Sequence, residues 1–370
     1  MNDLLFELIR VSIGMQESLS RFPEGAEWDE LFDMSVKQSL VGVCFVGLQR
    51  LGADVDDGFA QIGMCEDLYL MWMGMAANIS IKNEVVNQQC VTLQASLSTD
   101  GFRSSILKGQ GVATFYGEEL SCFRQSGDID LYVDCDRKRA LDYLRRLGMK
   151  DLEWDYLHTN PKFFEDTDVE LHYRVSVSRN LLLNYRLQYF FKENKDEFFC
   201  GRVESPDGCI VVPSNWMNVF YLMQHAYRHL FTEGIGLRQV MDIFFAMKVL
   251  SLSEADKEKL KNATARFGLD RFVSGMMWVL QHVFGLDITD ALWIPNQREG
   301  EFLLSEIMQS GNFGKHDDRF GDASSSKANK MTAVLRRTLH LASRYPGEAL
   351  TSPFYIVWHF LWKRIALLTD

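Results

Sequence analysis

No Cys-x-x-Cys pair occurs in this sequence, and its cysteines are odd in number: Cys44, Cys65, Cys90, Cys122, Cys135, Cys200 and Cys209. Neither a zinc knuckle built on paired thiolates nor a disulfide framework is signalled. Reduced thiols in a cytoplasmic protein are the expectation. A basic excess is also missing, because Asp and Glu number 50 against 39 Lys and Arg, for a formal net charge of -11. Such a surface repels nucleic acid and anionic membrane on average, so a polyanionic partner would need a local basic patch. No apolar run reaches the roughly 20 residues that a membrane span requires. The candidate stretch, 354–362, is interrupted by His359 and ended by Lys363 and Arg364. It reads as a buried or docking helix with Ser352 as N-cap and Pro353 at the first position, the alternative being a helix on a membrane surface. The opening MNDLLFELIR places an acid before its apolar residues and lacks the basic region of a signal peptide. GxSxG and the Walker lysine loop are absent, and Gly109-Gln110-Gly111 lacks the third glycine of a dinucleotide fingerprint.

What is present is a globular chain of 370 residues with 47% hydrophobic content, enough for two or three packed units. Apolar residues recur at three- and four-residue spacing through 4–13, 40–51 and 68–97, which predicts a helical region over 1–98. The pattern changes at Gly101. Residues 104–107 form a short apolar run, 128–133 alternate in period two, 137–147 read as a helix closed by Gly148, and 162–166 and 169–175 read as strands. Helical periodicity returns from Pro213, apart from a long apolar-poor loop over 311–330. The expected class is α+β, with a small mixed-sheet core (99–212) flanked by helical regions (1–98 and 213–370).

Asp128-Ile129-Asp130 is the sharpest local feature. Residues i and i+2 of a strand share a face, so the two acids stand together while Ile129, Leu131 and Val133 turn to the core. Paired carboxylates suit magnesium, which also takes phosphate oxygens from a nucleotide. An isolated Asp-x-Asp equally describes a solvent-facing edge strand, since short motifs recur by chance. Its neighbours add weight. Lys108-Gly109 lies at a turn before a helix expected over 112–116, where backbone amides can approach phosphate. Arg124 could clamp a phosphate through its planar fork, and Ser126 could donate to it. Glu170 lies in a second strand and shares its face with His172 and Arg174. Beside the first strand, Glu170 would complete a three-carboxylate site able to hold metals for in-line phosphoryl transfer. His172 reads either as a packed strand residue or as a contact to nucleotide or acceptor.

Elsewhere, His225 and His229 stand i,i+4 on a helix, but Ala226 and Tyr227 break the HExxH pattern. Packing or contact with the active site is the better reading. Arg238 and Asp242 are placed for a helix ion pair, with a substrate role open. His158 carries no signal.

Lys108-Gly109, then Arg124-x-Ser126-x-Asp128-Ile129-Asp130, then Val169-Glu170-Leu171-His172 resembles the DNA polymerase beta-like nucleotidyltransferase superfamily. The closer resemblance is to its uncharacterised nucleotidyltransferase family common in bacteria. Abortive-infection nucleotidyltransferase toxins share a similar arrangement. The resemblance implies transfer of a nucleoside monophosphate from an NTP to a hydroxyl acceptor, with pyrophosphate release and Mg2+ (or Mn2+) as cofactor. Asp128, Asp130 and Glu170 would be catalytic and hold the metals. Lys108, Gly109, Arg124, Ser126 and His172 would meet the nucleotide. The acceptor, whether small molecule, sugar, protein or RNA, is left open. So are a non-catalytic nucleotide-binding protein and a toxin held by a partner protein. Three departures stand out: the turn is Lys-Gly where the superfamily has Gly-Ser, residues 109 and 128 lie 19 apart, and the third carboxylate is Glu.

Overall fold

Ile129, Leu131 and Val133 are the alternate residues of one apolar face, and all three are buried in the computed structural model. The structure describes residues 1–55, 57–205, 207–315, 317–321 and 327–369. Strands β1 (Ser104–Ile106), β2 (Ile129–Val133), β3 (His158–Thr159) and β4 (Val169–His172) form a sheet of order β1-β2-β4-β3. β1 is antiparallel to β2, β4 is parallel to β2, and β3 is antiparallel to β4. The class is α+β, as the sequence predicts. The parallel pair aligns Ile129 with Val169, Asp130 with Glu170, Leu131 with Leu171 and Tyr132 with His172. Aligned residues on neighbouring strands share a face. One register therefore buries the aliphatic set on one side and gathers acids and histidines on the other.

The helix Arg137–Arg146 follows β2. Asp136 caps it by accepting from Arg139 N at 2.8 Å, and the chain leaves it through Gly148 at φ +85°. Two expectations fail here. Residues 162–166 form no strand: Phe163 N donates to Pro161 O at 3.1 Å and Lys162 pairs with Asp168, so the segment is a compact turn. Phe163 and Phe164 are consecutive, and two adjacent rings cannot both face one core in a strand. The fourth sheet position goes to His158–Thr159. The helix expected over 112–116 is also broken, into Gln110–Ala113 and the 3-10 turn Thr114–Tyr116. A hairpin of β5 (Gly201–Ser205) and β6 (Gly208–Val212) completes the strands. Gln94 ties it to β1, donating to Ser104 O and Val211 O and accepting from Val211 N.

The chain divides into two compact units, each built from separated segments: 1–87, 112–126 and 234–316, and 88–111, 127–233 and 317–370. The first is helical. Helices Asn2–Ser12 and Val41–Arg50 pack so closely that a Cβ on Gly47 would stand 2.4 Å from Ser12 Oγ. Asp270–Phe284 and Gln297–Ser310 approach likewise at Gly300. The second unit holds both sheets and the helix Asn215–Thr232, whose Phe220 and Tyr221 are buried. Its last helix, Ser352–Thr369, lays Trp358 and Trp362 against Tyr156 and Leu157, and leaves Phe354, Phe360 and Leu361 exposed. No described helix is long and apolar enough to cross a membrane. Of the loop expected over 311–330, residues 316 and 322–326 lie outside the described residues. The rest includes two 3-10 turns and the start of the helix Lys327–Leu341.

Candidate metal and nucleotide site

The in-register pairing of β2 with β4 stands Asp130 beside Glu170, and Asp128 immediately precedes β2. One carboxylate oxygen from each of Asp128, Asp130 and Glu170 lies within 4.8 Å of the others. Three like charges at that spacing repel unless cations answer them. Asp130 is 1% exposed, and two cationic side chains face it: Lys108 Nζ at 2.9 Å and His172 Nε2 at 3.3 Å from Oδ1. Its Oδ2 has no hydrogen-bond partner among the described residues. An orphaned, buried carboxylate oxygen within a carboxylate triad fits an oxygen-seeking divalent cation. Asp128, Asp130 and Glu170 are the residues that could hold it.

His172 Nε2 is also 3.2 Å from Glu170 Oε2. Burial pushes its imidazole toward neutrality, but hydrogen bonds and charge from Asp130 and Glu170 outweigh burial and raise its pKa to about 9. Burial raises Glu170, while His172, His158 and Lys108 together hold it down at about 2. Lys108 is likewise pushed down by burial and raised further by Asp130, Asp128, Tyr221 and Glu170, so it stays charged. Gly109 has φ +58°, the left-handed turn that glycine adopts without strain, and its Cβ position faces Asp128 O at 3.6 Å. The helix after it has only four residues, so little macrodipole is available. Lys108 and the turn at Gly109 are the features here that could meet an anion.

Lys108, Gly109, Asp128, Asp130, Glu170 and His172 all belong to the second unit. Arg124 and Ser126 belong to the first. There Arg124, 3% exposed, gives Nε and Nη2 to the two oxygens of Asp242, both at 2.7 Å, and Tyr116 Oη donates to Asp242 Oδ1 at 2.7 Å. Asp242 thus pairs with Arg124 where the sequence suggested Arg238. Arg238 Nη1 donates to Gln125 O at 2.7 Å. Ser126 is half-buried.

Two neighbours, His158 and Tyr221, escaped the sequence reading, while a third, His225, was expected to pack or to contact the active site. His158 lies opposite His172 across β3–β4, with Nδ1 3.7 Å from Glu170 Oε2 and its ring centroid 4.9 Å from that of His172. Burial and the His172 charge lower its pKa. A two-residue strand has no period to detect, so no pattern in the sequence marks it. Tyr221 and His225 come from the helix Asn215–Thr232. His225 Nε2 stands 3.5 Å from Lys108 Nζ, and burial together with that ammonium drives its pKa well down. The i,i+4 histidine spacing did flag this face of the helix.

No curated protein matches the sequence. Among solved structures, the chain is similar to an antigenic nucleotidyltransferase-like protein from Paracoccidioides brasiliensis. That similarity has 14% identity, covers 59% of this chain and 96% of that one, and has a TM-score of 0.35, too low to argue from. A family model described as an uncharacterised nucleotidyltransferase matches residues 24–285. That span is more than half of the sequence and contains every carboxylate of the triad, and the chain belongs to this nucleotidyltransferase family.

Proposed function

We propose that the protein is a metal-dependent nucleotidyltransferase that moves a nucleoside monophosphate from an NTP to a hydroxyl acceptor and releases pyrophosphate. The observation that carries this reading is the convergence of Asp128, Asp130 and Glu170 within 4.8 Å, with one Asp130 oxygen buried and unpartnered. Asp128, Asp130 and Glu170 hold Mg2+ or Mn2+. When bound, such a cation neutralises triphosphate charge and favours ionisation of the acceptor hydroxyl. Lys108, charged and flanked by the left-handed turn at Gly109, meets the triphosphate. Glu170, held near a pKa of 2, stays ionised and acts by its charge. His172 orients Glu170 and Asp130 through Nε2. Arg124 is left out of the nucleotide-contacting set because Asp242 holds its fork.

The test is NTP turnover with each divalent cation against whole-cell lysate, using α-labelled nucleotides. Label should move to an acceptor only with metal, and Asp128→Asn should abolish the transfer. Label that stays in NTP under every metal and nucleotide would sink the reading.

A second reading has one observation in its favour. Lys108 and His172 already answer much of the charge on Asp130 and Glu170, as a non-catalytic nucleotide-binding protein would allow. Binding of NTP that raises the melting temperature without any turnover would select it.

A further inference from the structure

β3 and β4 bring together a second group of donors, which has only Glu170 in common with the carboxylate triad. His158 and His172 are cross-strand partners, and Glu170 precedes His172 by two on β4. All three therefore share one face of the sheet. One donor atom of each lies within 4.8 Å of the others. His172 Nε2 is 3.2 Å from Glu170 Oε2, and His158 Nδ1 is 3.7 Å from the same oxygen.

Those separations have a simple reading. Two donors each about 2.0–2.1 Å from a tetrahedral cation stand about 3.3–3.4 Å apart. At 3.7 Å, His158 Nδ1 is too far from Glu170 for a hydrogen bond, and it is buried with no hydrogen-bond partner among the described residues. A buried imidazole nitrogen aimed at a carboxylate oxygen from just beyond bonding distance leaves room for an ion between them. Two imidazoles and one carboxylate suit zinc and other late divalent transition metals, whereas magnesium takes oxygen donors. Three protein ligands leave a fourth position open, as catalytic zinc sites do.

We propose that His158, Glu170 and His172 form a transition-metal site, selective for Zn2+ over Mg2+, next to the oxygen-rich group of Asp128 and Asp130 and joined to it through Glu170. The transfer reading and this site share Glu170 and His172, but Asp128 serves only the first and His158 only the second, so the two can fail separately. The open coordination position accepts an oxygen ligand, either water or a phosphate oxygen.

The experiment uses the full chain without a polyhistidine tag, stripped with chelator. Co2+ serves as the visible probe and Zn2+ as its competitor, with no nucleotide present. One equivalent of Co2+ should give absorption in the visible range that Zn2+ removes and millimolar Mg2+ does not. His158→Ala and, as a shape-retaining second variant, His158→Gln should each weaken Zn2+ binding by tenfold or more, with the melting temperature of the metal-free protein recorded to exclude unfolding. Asp128→Asn should leave Co2+ absorption and Zn2+ affinity within about twofold of the unsubstituted chain. Zn2+ affinity unchanged in both folded His158 variants overturns the site. Co2+ absorption lost in Asp128→Asn but kept in the His158 variants overturns it too, and assigns the ion to the carboxylates. Loss of nucleotide transfer in Asp128→Asn with Zn2+ binding intact bears on the transfer reading alone.

Discussion

The two aspartates of one motif should respond oppositely to neutralisation in the absence of metal. Asp130 is buried and faces Lys108 at 2.9 Å and His172 at 3.3 Å. Asp130→Asn removes the charge that those two cations answer, and breaking one partner out of a buried ion pair costs about 3–5 kcal/mol. The lower end applies, because Lys108 keeps some access to water and Glu170 remains beside His172. Asp128 is half-buried, with no ion pair among the described residues, and its carboxylate oxygen lies within 4.8 Å of two others. Like charges at that spacing repel by about 3 kcal/mol at an effective dielectric near 20, less where water reaches them. Asp128→Asn relieves that repulsion, so it should be neutral or stabilising by up to about 1 kcal/mol. With an unfolding entropy of about 2.1 cal/mol/K per residue, a cooperative melt of 370 residues shifts by about 1.3 °C per kcal/mol. In EDTA, Asp130→Asn should therefore melt about 4 °C lower, and Asp128→Asn within about 1 °C of the parent. Magnesium at a hundred times its Kd adds about 2.7 kcal/mol to the parent, a rise of about 3–4 °C that both variants should lose. Differential scanning calorimetry with and without Mg2+ reads all six values. Two results would refute the reasoning: an Asp128→Asn penalty in EDTA as large as that of Asp130→Asn, or a full magnesium shift retained by Asp128→Asn.

The remaining predictions concern chemistry, the first unit and pH. Glu170→Gln keeps the shape and removes the charge beside the proposed metal, so transfer measured by pyrophosphate release should fall on the order of a hundredfold; near-parental turnover would move the third carboxylate elsewhere. Asp242→Asn strands the buried Arg124 guanidinium and should cost about 3 kcal/mol by urea denaturation; a cost below about 1 kcal/mol would mean that Arg124 finds another partner. Gly42→Ala would set a Cβ 2.3 Å from Phe123 O, a backbone atom that cannot yield cheaply, and should cost about 1–3 kcal/mol. Gly74→Ala, with open space around an exposed helical position, should stabilise by up to about 1 kcal/mol, and the pair is checked by the sign of each shift. His225 is held neutral when folded, its pKa lying well below the ordinary value, while the unfolded chain takes up a proton as pH falls through about 6.5. Its stabilising contribution is present above that pH and lost as pH falls below it. His172, raised to about 9, contributes fully below about 6.5 and loses its contribution as pH rises through 9. In chelator-treated protein, His225→Gln should flatten the urea stability profile between pH 7 and 5 and leave the alkaline limb unchanged; an unaltered acid slope would contradict it.

Much of the site was legible because a strand's period is short and strict. Asp128, Asp130, Glu170 and His172 are assigned to faces by counting in twos, and the apolar residues between them bury the other face. Helical spacing marked the flanking regions for the same local reason, and Asp136 and Gly148 bracket their helix by cap chemistry that acts within a turn. Tertiary structure decided what lies beyond that range. No spacing along the chain links Arg124 to Asp242, which are 118 residues apart; burial of a guanidinium demands a carboxylate, and packing supplies the one within reach. No period reveals His158, because a two-residue strand is held by its neighbour's hydrogen bonds and not by a pattern of its own. The register of β2 against β4 is likewise a long-range choice. A slip by one residue would turn Glu170 toward the aliphatic core, and it is the burial of Val169 and Leu171 beside Ile129 and Leu131 that keeps the three carboxylates together.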